Sequence, residues 1–447
     1  MSLFCPLDDP SPLSRTYQAS APPPLARPAL KGEIATDVAI IGAGDTGLSA
    51  ALHLAERGIA CVVLEAREVG WGGSGRAFGQ VVPYSKHSES HLLAHFGETA
   101  GRRIMDATAA GPNYVFDLIR RYAIACDASQ KGLLFAANSA AGAQGLAARA
   151  AFWSARGAPV RLLTGRDAHA IVGSTHYSYI LADQRGGQIN PLAYVRGLAL
   201  AAQKRGVDIY ENSRVVRLEP RGTEWRIHTA AGVVDARRVL LAGGAYLDEL
   251  WPRLRLSFIP MRAYQLVTEP LSDNVRRTIL PEGHSLTDTR RLYSGIRLLP
   301  DGRLHLSVDG PAFNVDGKEF RAKATARMRE VFPQAGDAAW AESWTGWVDM
   351  TADHYPHVHE LANGLWTVIG LSGRGLVYAT LLGREMAARF AGDDEGAIFM
   401  PATPIRPIGV RRIAAPLVRA LMTLYRVLDR TESGNYLRRT RAGSTTV

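Results

Sequence analysis

Residues 37–47 read Asp37-Val-Ala-Ile-Ile-Gly42-Ala-Gly44-Asp-Thr-Gly47. The first part, up to residue 41, is a short and continuous apolar run, as expected of a parallel strand that is covered on both faces. A glycine turn follows, and residues 48–57 have the spacing of a helix. A second apolar run, residues 60–64, ends at Glu65. The stretch therefore predicts a complete βαβ unit.

The glycines of this turn have the spacing Gly-x-Gly-x-x-Gly, and Glu65 comes eighteen residues after the third glycine. Gly42 permits the tight turn, Gly44 lets the backbone approach a pyrophosphate, and Gly47 lets the helix pack against the strand. The start of the helix presents unpaired N–H groups and the positive end of its dipole to phosphates. Glu65 would accept hydrogen bonds from ribose hydroxyls. The pattern predicts a dinucleotide site; the alternative is a structural glycine turn.

Two further glycine clusters favour FAD over NAD as the dinucleotide. Residues 69–80 read VGWGGSGRAFGQ, and residues 370–375 read GLSGRG before a second predicted helix. A longer cofactor needs backbone along its ribityl chain, which glycine permits. A helix start aimed at the N1/C2 edge of a flavin would stabilise the anion that forms on reduction. A flexible loop and an ordinary strand-to-helix turn are the alternative interpretations of the two clusters.

Composition indicates a globular enzyme, since 47% of the 447 residues are hydrophobic and 21% are charged. The net charge of +10 lies mostly in residues 401–447, where nine arginines face two acidic residues and give +7. Nucleic-acid binding is therefore not expected.

No apolar stretch is long enough to span a membrane, the first residues do not resemble a secretory signal, and three scattered cysteines suit a reducing compartment. A cytoplasmic location is expected.

Several segments in fixed order resemble the D-amino acid oxidase superfamily of FAD-dependent oxidoreductases, and within it the γ-glutamylputrescine oxidoreductase branch. The resemblance runs from about Tyr17 to Asp429. The segments that carry it are DVAIIGAGDTGLSAALHLAERG, EVGWGGSGRAFGQ, GSTHYSYILADQRGGQINPLAYVRGLALAAQKRGVDIYENSRV, VLLAGGAYL, WTGWVDMTADHYP and GLSGRGL.

The resemblance implies an α/β fold in which a Rossmann-type FAD-binding domain is interleaved with an α+β substrate domain. The expected divisions are an extended N-terminal arm at 1–36, an FAD-binding domain at 37–95, 165–258 and 345–400, a substrate domain at 96–164 and 259–344, and a basic amphipathic tail at 401–447.

The resemblance also implies which residues hold the cofactor, and these fall in the glycine clusters, at the end of the second strand and in two later loops. They are Gly42, Gly44, Asp45, Thr46, Gly47, Glu65, Ser74, Gly75, Arg76, Gln80, Val215, Gly243, Ala245, Gly373, Arg374 and Gly375. FAD is expected to be non-covalent, because Cys5, Cys61 and Cys126 do not lie in a C-terminal segment of the kind that binds flavin covalently in the sarcosine oxidase branch.

The implied reaction is oxidation of the C–N bond of an amine by hydride transfer to flavin N5. The imine would hydrolyse in water, and O2 would reoxidise the flavin and give H2O2. The substrate would be a γ-glutamyl-polyamine, an N-alkyl amine or an amino acid, which suggests polyamine catabolism. The alternatives are a dehydrogenase that passes electrons to a quinone or another carrier at the membrane surface, and a flavin-binding protein without turnover.

Four residues are candidates for substrate binding. Arg297, in the β-rich insertion, offers a planar fork that could hold a carboxylate, although a solvated strand arginine is an equal alternative. The rings of Tyr264 and Tyr177 could form one side of the amine-binding site; the alternative is that both are ordinary packed tyrosines. Phe78 stands where relatives commonly have a small residue, so its ring is expected near the flavin or the substrate entry. No catalytic residue is assigned, since the flavin performs the difficult step.

Two remaining patterns concern a metal and the tail. The spacing of His354, His357 and His359 matches no metal-site pattern, so no metal is expected. In the tail, one helical face carries Ile413, Leu417, Leu421, Leu424 and Leu428, and another carries Arg412, Arg419, Arg426 and Arg430. Docking on the chain's own FAD-binding domain is the preferred interpretation; an anionic membrane or a partner is the alternative.

Overall fold

The computed structural model describes residues 6–9, 11–292, 294–312, 318–393, 398–409 and 411–441, without the side chains of 311, 312, 318, 411–419, 435 and 437–441. Cys5 and residues 442–447 therefore lie outside the described residues, as do the side chains of Arg412, Ile413, Leu417 and Arg419.

The described chain contains eighteen strands. They are β1 (Gly32–Ile41), β2 (Cys61–Leu64), β3 (Gln80–Val81), β4 (Leu133–Ala136), β5 (Val160–Thr164), β6 (Tyr179–Asp183), β7 (Gly187–Gln188), β8 (Asp208–Tyr210), β9 (Val215–Arg221), β10 (Glu224–Thr229), β11 (Gly232–Leu241), β12 (Ile259–Pro270), β13 (Ser285–Asp288), β14 (Gly295–Leu298), β15 (Arg303–Ala312), β16 (Trp340–Met350), β17 (His357–Ala362) and β18 (Leu365–Ile369).

Twelve α-helices lie in the same described ranges. They are α1 (Arg15–Ser20), α2 (Asp45–Glu56), α3 (Gly73–Arg76), α4 (Glu89–Phe96), α5 (Glu98–Arg121), α6 (Ala140–Ser154), α7 (Gly165–Val172), α8 (Pro191–Lys204), α9 (Asp273–Arg276), α10 (Lys318–Val331), α11 (Gly375–Ala391) and α12 (Arg411–Arg441).

The first sheet has the strand order β17-β18-β11-β1-β2-β8, and β9 and β10 extend it from β11. Its centre is parallel: β1 pairs with β2 on one side and with β11 on the other, and β11 pairs with β18. The inner part of β1, from Val38 to Ile41, is buried, as its continuous apolar run predicts. This is the Rossmann-type sheet, and its three central strands come from the beginning, middle and end of the chain.

The second sheet has the order β16-β12-β15-β14-β13-β4-β6-β5 and is largely antiparallel. A hairpin around Pro300-Asp-Gly302 joins β14 to β15. Together the two sheets form the expected interleaved α/β architecture, and that prediction is confirmed.

Two strands of the second sheet change the expected divisions. β6, predicted to lie in the FAD-binding domain, pairs antiparallel with both β4 and β5. β16 begins at Trp340 and runs without interruption past the expected boundary at 345, because it pairs with β12 along most of its length. The second sheet therefore takes in part of the segment assigned to the first domain.

The N-terminal segment is not simply an extended arm. It contains the helix α1, whose start is capped by the Ser14 hydroxyl accepting from the Tyr17 N–H at 3.2 Å, and β1 begins at Gly32. Tyr17 is buried, and its ring packs edge-on against Trp344. Because burial of an aromatic ring anchors so short a helix, the segment is part of the folded core.

The C-terminal segment forms the predicted helix, α12, but it docks differently from the expectation. Leu421 and Leu424 of the predicted apolar face are 42% and 51% exposed. The contacting face instead holds Asp429, which accepts from the backbone N–H and guanidinium of Arg291, and Ser433, which accepts from the Asn138 amide. The partners follow strands β13 and β4, so the helix packs beside the second sheet.

Among the described helices, none combines the length and the apolar character that crossing a membrane would require.

Candidate flavin and substrate site

The turn between β1 and α2 is shaped so that three positions require glycine. Gly42 has a φ of +112°, and a Cβ on it would lie 2.9 Å from the Ala242 carbonyl oxygen. A Cβ on Gly47 would overlap the carbonyl oxygen of Gly42. A Cβ on Gly44 would lie 3.0 Å from the Ser74 hydroxyl, in the space above the helix start. The turn therefore forms a side-chain-free cradle of the kind a pyrophosphate needs.

Glu65 ends β2 beside this cradle. One carboxylate oxygen accepts from the Ala43 N–H at 2.8 Å, and the other from the Arg67 N–H at 2.9 Å. Burial raises the pKa of Glu65, and the two N–H groups partly offset that rise. Each oxygen keeps a lone pair for a further donor. The carboxylate is thus held in place with acceptor capacity left for ribose hydroxyls.

The second glycine cluster closes over the start of α2. Ser74 accepts from the Asp45 backbone N–H at 2.9 Å, and a Cβ on Gly75 would overlap the Gly70 carbonyl oxygen. Arg76 is tied down by backbone carbonyls, including those of Trp71 at 2.7 Å and Ser11 at 2.7 Å. This segment is therefore a rigid wall rather than a mobile surface loop.

The predicted cofactor residues line one continuous cavity, except for two glycines. The lining ones are Gly42, Gly44, Asp45, Thr46, Glu65, Ser74, Arg76, Gln80, Val215, Gly243, Ala245, Gly373, Arg374 and Gly375. Gly47 and Gly75 are not among the lining residues, because they serve close backbone packing behind the cavity surface. The glycine-rich turn, the start of β9 at Val215 and the start of α11 thus meet at one site.

Asp349 also lines this cavity, although the sequence did not single it out. It is buried, and its carboxylate accepts from the Gly370 N–H at 2.6 Å. Burial raises the pKa of Asp349 to about 6, against the effect of the N–H donors. The loop before α11 is therefore held by a carboxylate from β16.

The far end of the same cavity is formed by the second sheet and will be called the sheet wall. Its residues are Phe78, Ala263, Gln265, Gly295, Ser307 and Trp347. Gly295 leaves room for an aromatic ring, since a Cβ on it would lie 2.5 Å from the ring of Phe78. Phe78 lines the cavity, and its place near the flavin or the substrate entry stays a prediction. The other five residues were missed.

Arg297 is not one of the described residues that line the cavity. It is only 2% exposed. It donates to His305 Nδ1 at 3.1 Å, to the Ile189 carbonyl at 2.7 Å and to the Tyr17 hydroxyl at 2.8 Å. Because each nitrogen of its fork already has a protein acceptor, the structure offers no route for it to hold a substrate carboxylate.

The two candidate tyrosines also lie away from the cavity lining. Tyr264 points to the opposite face of β12, where it stacks on Phe320 with ring centres 3.8 Å apart. Tyr177 is fully buried and donates to Asp288 at 3.1 Å. Side chains alternate across a strand, so the cavity residue next to Tyr264 is Gln265.

Among the described residues, no group of three or more His, Cys, Asp or Glu side chains is arranged to hold a metal ion. Asp353 accepts from the His357 ring at 3.1 Å, which lowers the pKa of Asp353. These residues belong to the turn between β16 and β17.

Comparisons with known proteins agree with this site. The family model described as "DAO: FAD dependent oxidoreductase" matches residues 37–389. The chain is 32% identical to gamma-glutamylputrescine oxidoreductase of Escherichia coli (strain K12) over 93% of this chain and 98% of that protein. It is 28% identical to D-amino acid dehydrogenase of Vibrio vulnificus (strain CMCP6) over 43% of this chain and 46% of that one.

Among solved structures, glycine oxidase from Geobacillus kaustophilus superposes with a TM-score of 0.70 at 23% identity, covering 83% of this chain and all of that one. The interleaved sheets and the glycine cradle are thus those of a known flavoenzyme fold. The chain belongs to the DAO family of FAD-dependent oxidoreductases.

Proposed function

We propose that this protein is an amine oxidoreductase that oxidises a C–N bond in a substrate of the γ-glutamyl-polyamine class. The similarity to gamma-glutamylputrescine oxidoreductase over nearly the whole chain supports this class. The same similarity supports a role in polyamine catabolism. An amino acid substrate is the nearest competitor within the family, so the choice depends on what the sheet wall can bind.

The observation that carries the proposal is the uncharged character of the sheet wall. Its described side chains are aromatic, amide, hydroxyl or methyl groups, and Arg297 is buried away from the cavity lining, with a protein acceptor on each of its three nitrogens. An α-amino acid carries a carboxylate on the carbon that reacts, and a buried carboxylate needs a cation or several donors. An amine without that carboxylate fits the wall better.

The dinucleotide end supplies the rest of the site. The backbone of residues 42–47 would hold the pyrophosphate, Glu65 the ribose, and the start of α11 at Gly373, Arg374 and Gly375 the pyrimidine edge of the flavin. FAD, when bound, accepts a hydride from the carbon beside the amine. Cys61 and Cys126 are both buried, and we propose that the cofactor is non-covalent.

The test is an anaerobic bleaching screen of the purified, FAD-loaded protein against γ-glutamylputrescine, putrescine, sarcosine, glycine and D-alanine. We expect γ-glutamylputrescine to bleach the flavin absorbance fastest. Bleaching by the amino acids alone would contradict the proposal. Peroxide release on admitting air would identify an oxidase, whereas reduction of a quinone without oxygen uptake would identify a dehydrogenase.

A protein that binds FAD but is bleached by no amine would have a non-catalytic use of the cofactor. Acid precipitation separates a further alternative: non-covalent FAD leaves a yellow supernatant, and a yellow pellet would show a covalent bond.

A further inference from the structure

Four buried polar side chains are joined by hydrogen bonds, and two of them belong to the sheet wall. They are Arg297 on β14, His305 and Ser307 on β15, and Gln265 on β12. All four are at least nine-tenths buried. Only Gln265 and Ser307 reach the cavity. Burying a polar group costs free energy unless the group forms hydrogen bonds. Four such groups at one end of the cavity therefore point to a binding role.

The sheet register explains this division into two rows. Ser307 lies opposite Gln265 on one side and opposite Gly295 on the other. Arg297 lies opposite His305, two residues further along the same strands. Residues two apart on a strand share a face. The row at Ser307 therefore lines the cavity, and the row at His305 lies next to it on the same face of the sheet, outside the cavity lining.

The hydrogen bonds among these four side chains have one consistent direction. Arg297 is always a donor, so His305 Nδ1 must accept its Nε–H. Burial, and then the charge of Arg297, lower the pKa of His305 well below its ordinary value. The ring is neutral, its proton sits on Nε2, and Nε2–H donates to Gln265 Oε1 at 3.0 Å.

This direction fixes the amide of Gln265. Its oxygen is taken by His305, and its nitrogen donates to the Ser307 hydroxyl oxygen at 3.0 Å. Ser307 accepts that bond, so its own hydrogen points elsewhere. The second amide hydrogen of Gln265 has no partner among the described residues. The wall thus offers two hydrogen-bond donors to whatever occupies the cavity.

Arg297 is itself clamped from both domains. The Ile189 carbonyl and the Tyr17 hydroxyl hold its two terminal nitrogens, and Tyr17 in turn donates to the Ala77 carbonyl at 2.9 Å. The guanidinium also lies 5.2 Å from the centre of the Phe78 ring. Its position is therefore set by the fold and not by a ligand.

We propose that Gln265 and Ser307 form a donor pair that binds the carbonyl oxygen of an acylated amine, and that Arg297 and His305 are positioning residues that keep this pair oriented. The inference rests on the proposed function and adds to it the part of the substrate that the wall recognises. An alkylammonium group has hydrogens to donate and no acceptor. A γ-glutamyl amide has the carbonyl oxygen that two donors require.

The kinetic test compares γ-glutamylputrescine with putrescine, which lacks the carbonyl. In Ser307→Ala we expect kcat/KM for γ-glutamylputrescine to fall about tenfold or more, mainly through KM, and kcat/KM for putrescine to change by less than about threefold. An equal loss on both amines, or no loss on either, overturns the donor pair.

The positioning role is tested at His305. His305→Phe keeps the aromatic packing but removes both nitrogens, and we expect it to reproduce the selective loss. His305→Gln keeps an acceptor for Arg297 and a donor for Gln265, and we expect it to recover activity to within about threefold of wild type. Failure of His305→Gln to recover, with the cofactor fully bound, overturns the positioning role. Tyr264→Phe, on the opposite face of β12, is the matched control.

A binding measurement separates this inference from the proposed function. γ-Glutamylbutylamide keeps the carbonyl but lacks the terminal amine beside which γ-glutamylputrescine would be oxidised, and anaerobic calorimetry on the FAD-loaded protein reports its affinity without turnover. We expect binding to wild type and binding about tenfold weaker to Ser307→Ala. No binding to wild type, or equal affinities, overturns the donor pair. If wild type binds the amide but oxidises no amine, the proposed function fails and the donor pair stands.

Discussion

The two ends of the cavity are built by different means. At the dinucleotide end the surface is mostly backbone, made available by glycines such as Gly42 and Gly47, where a Cβ would overlap a backbone carbonyl oxygen. At the sheet wall the surface is mostly side chains, set by which face of β12, β14 and β15 they occupy. Backbone geometry restricts the residue type strongly, whereas a side-chain surface tolerates many types. Substitutions at the dinucleotide end should therefore abolish binding of the cofactor, whereas substitutions at the sheet wall should weaken binding of the substrate by degrees.

The largest effect is expected from Gly47→Ala. The new methyl group would overlap the Gly42 carbonyl oxygen, so the turn must open and the cradle is lost. We expect the purified variant to hold no FAD, measured by the absorbance ratio of flavin to protein. Gly145→Ala, in the middle of α6 where a Cβ meets open space, is the control and should keep full flavin content. Retention of flavin by Gly47→Ala would contradict the cradle.

The next effect is at Glu65. In Glu65→Gln the carboxylate that accepts from Ala43 and Arg67 is replaced by an amide with a single acceptor oxygen. We expect FAD affinity to fall about 10- to 100-fold, the usual range for a lost hydrogen bond to a charged group. Titration of the apoprotein with FAD measures it. Glu33→Gln, on the exposed start of β1, should leave the affinity unchanged.

At the sheet wall we expect a graded loss. Phe78→Ala removes a ring that packs on Gly295, and burial of such a ring is worth about 1.5–3 kcal/mol. KM for the amine should rise about tenfold or more, while the flavin content stays at the wild-type level. Tyr264→Phe keeps the stack on Phe320 and should change KM by less than about twofold. A loss of flavin in Phe78→Ala would mean that the two ends are not separable.

The smallest effect is a pH dependence at the dinucleotide end. Burial raises the pKa of Asp45 to about 7, with only the Ser74 bond acting against it. The protonated form is neutral and tolerates phosphates, whereas the ionised form repels them. FAD affinity should therefore be highest below pH 6 and fall several-fold as the pH rises through 7 to 8. Asp45→Asn should flatten this profile; a profile that stays steep would assign it to another group.

The sequence predicted the dinucleotide end almost residue by residue, and the sheet wall hardly at all. Gly42, Gly44 and Gly47 could be read because a tight turn leaves few alternatives to glycine. Gln265 could not, because a strand buried on both faces shows no alternation in polarity to mark its cavity side. Arg297 was noticed as an arginine in the β-rich insertion, but two of its three acceptors, the Ile189 carbonyl and the Tyr17 hydroxyl, come from segments far away in the chain.

The prediction of how α12 docks was wrong for a related reason. The apolar stripe through Leu421 and Leu424 was taken as the contacting face. The actual contact uses Asp429, whose partner Arg291 lies more than a hundred residues earlier. Helical periodicity identifies an amphipathic helix, but it does not show which face packs on the protein, and the packed face of α12 buries Met422 and Tyr436 beside Asp429.

The strand order of the first sheet has a consequence for how the protein is made. β1 leaves the ribosome about 190 residues before its partner β11, and β18 follows more than a hundred residues later still. Until then the apolar inner half of β1 can pair only with β2, and its other edge is open to the nascent chains of neighbouring ribosomes. The cradle can bind its cofactor only near the end of synthesis, and the binding of free FAD would then stabilise the completed fold.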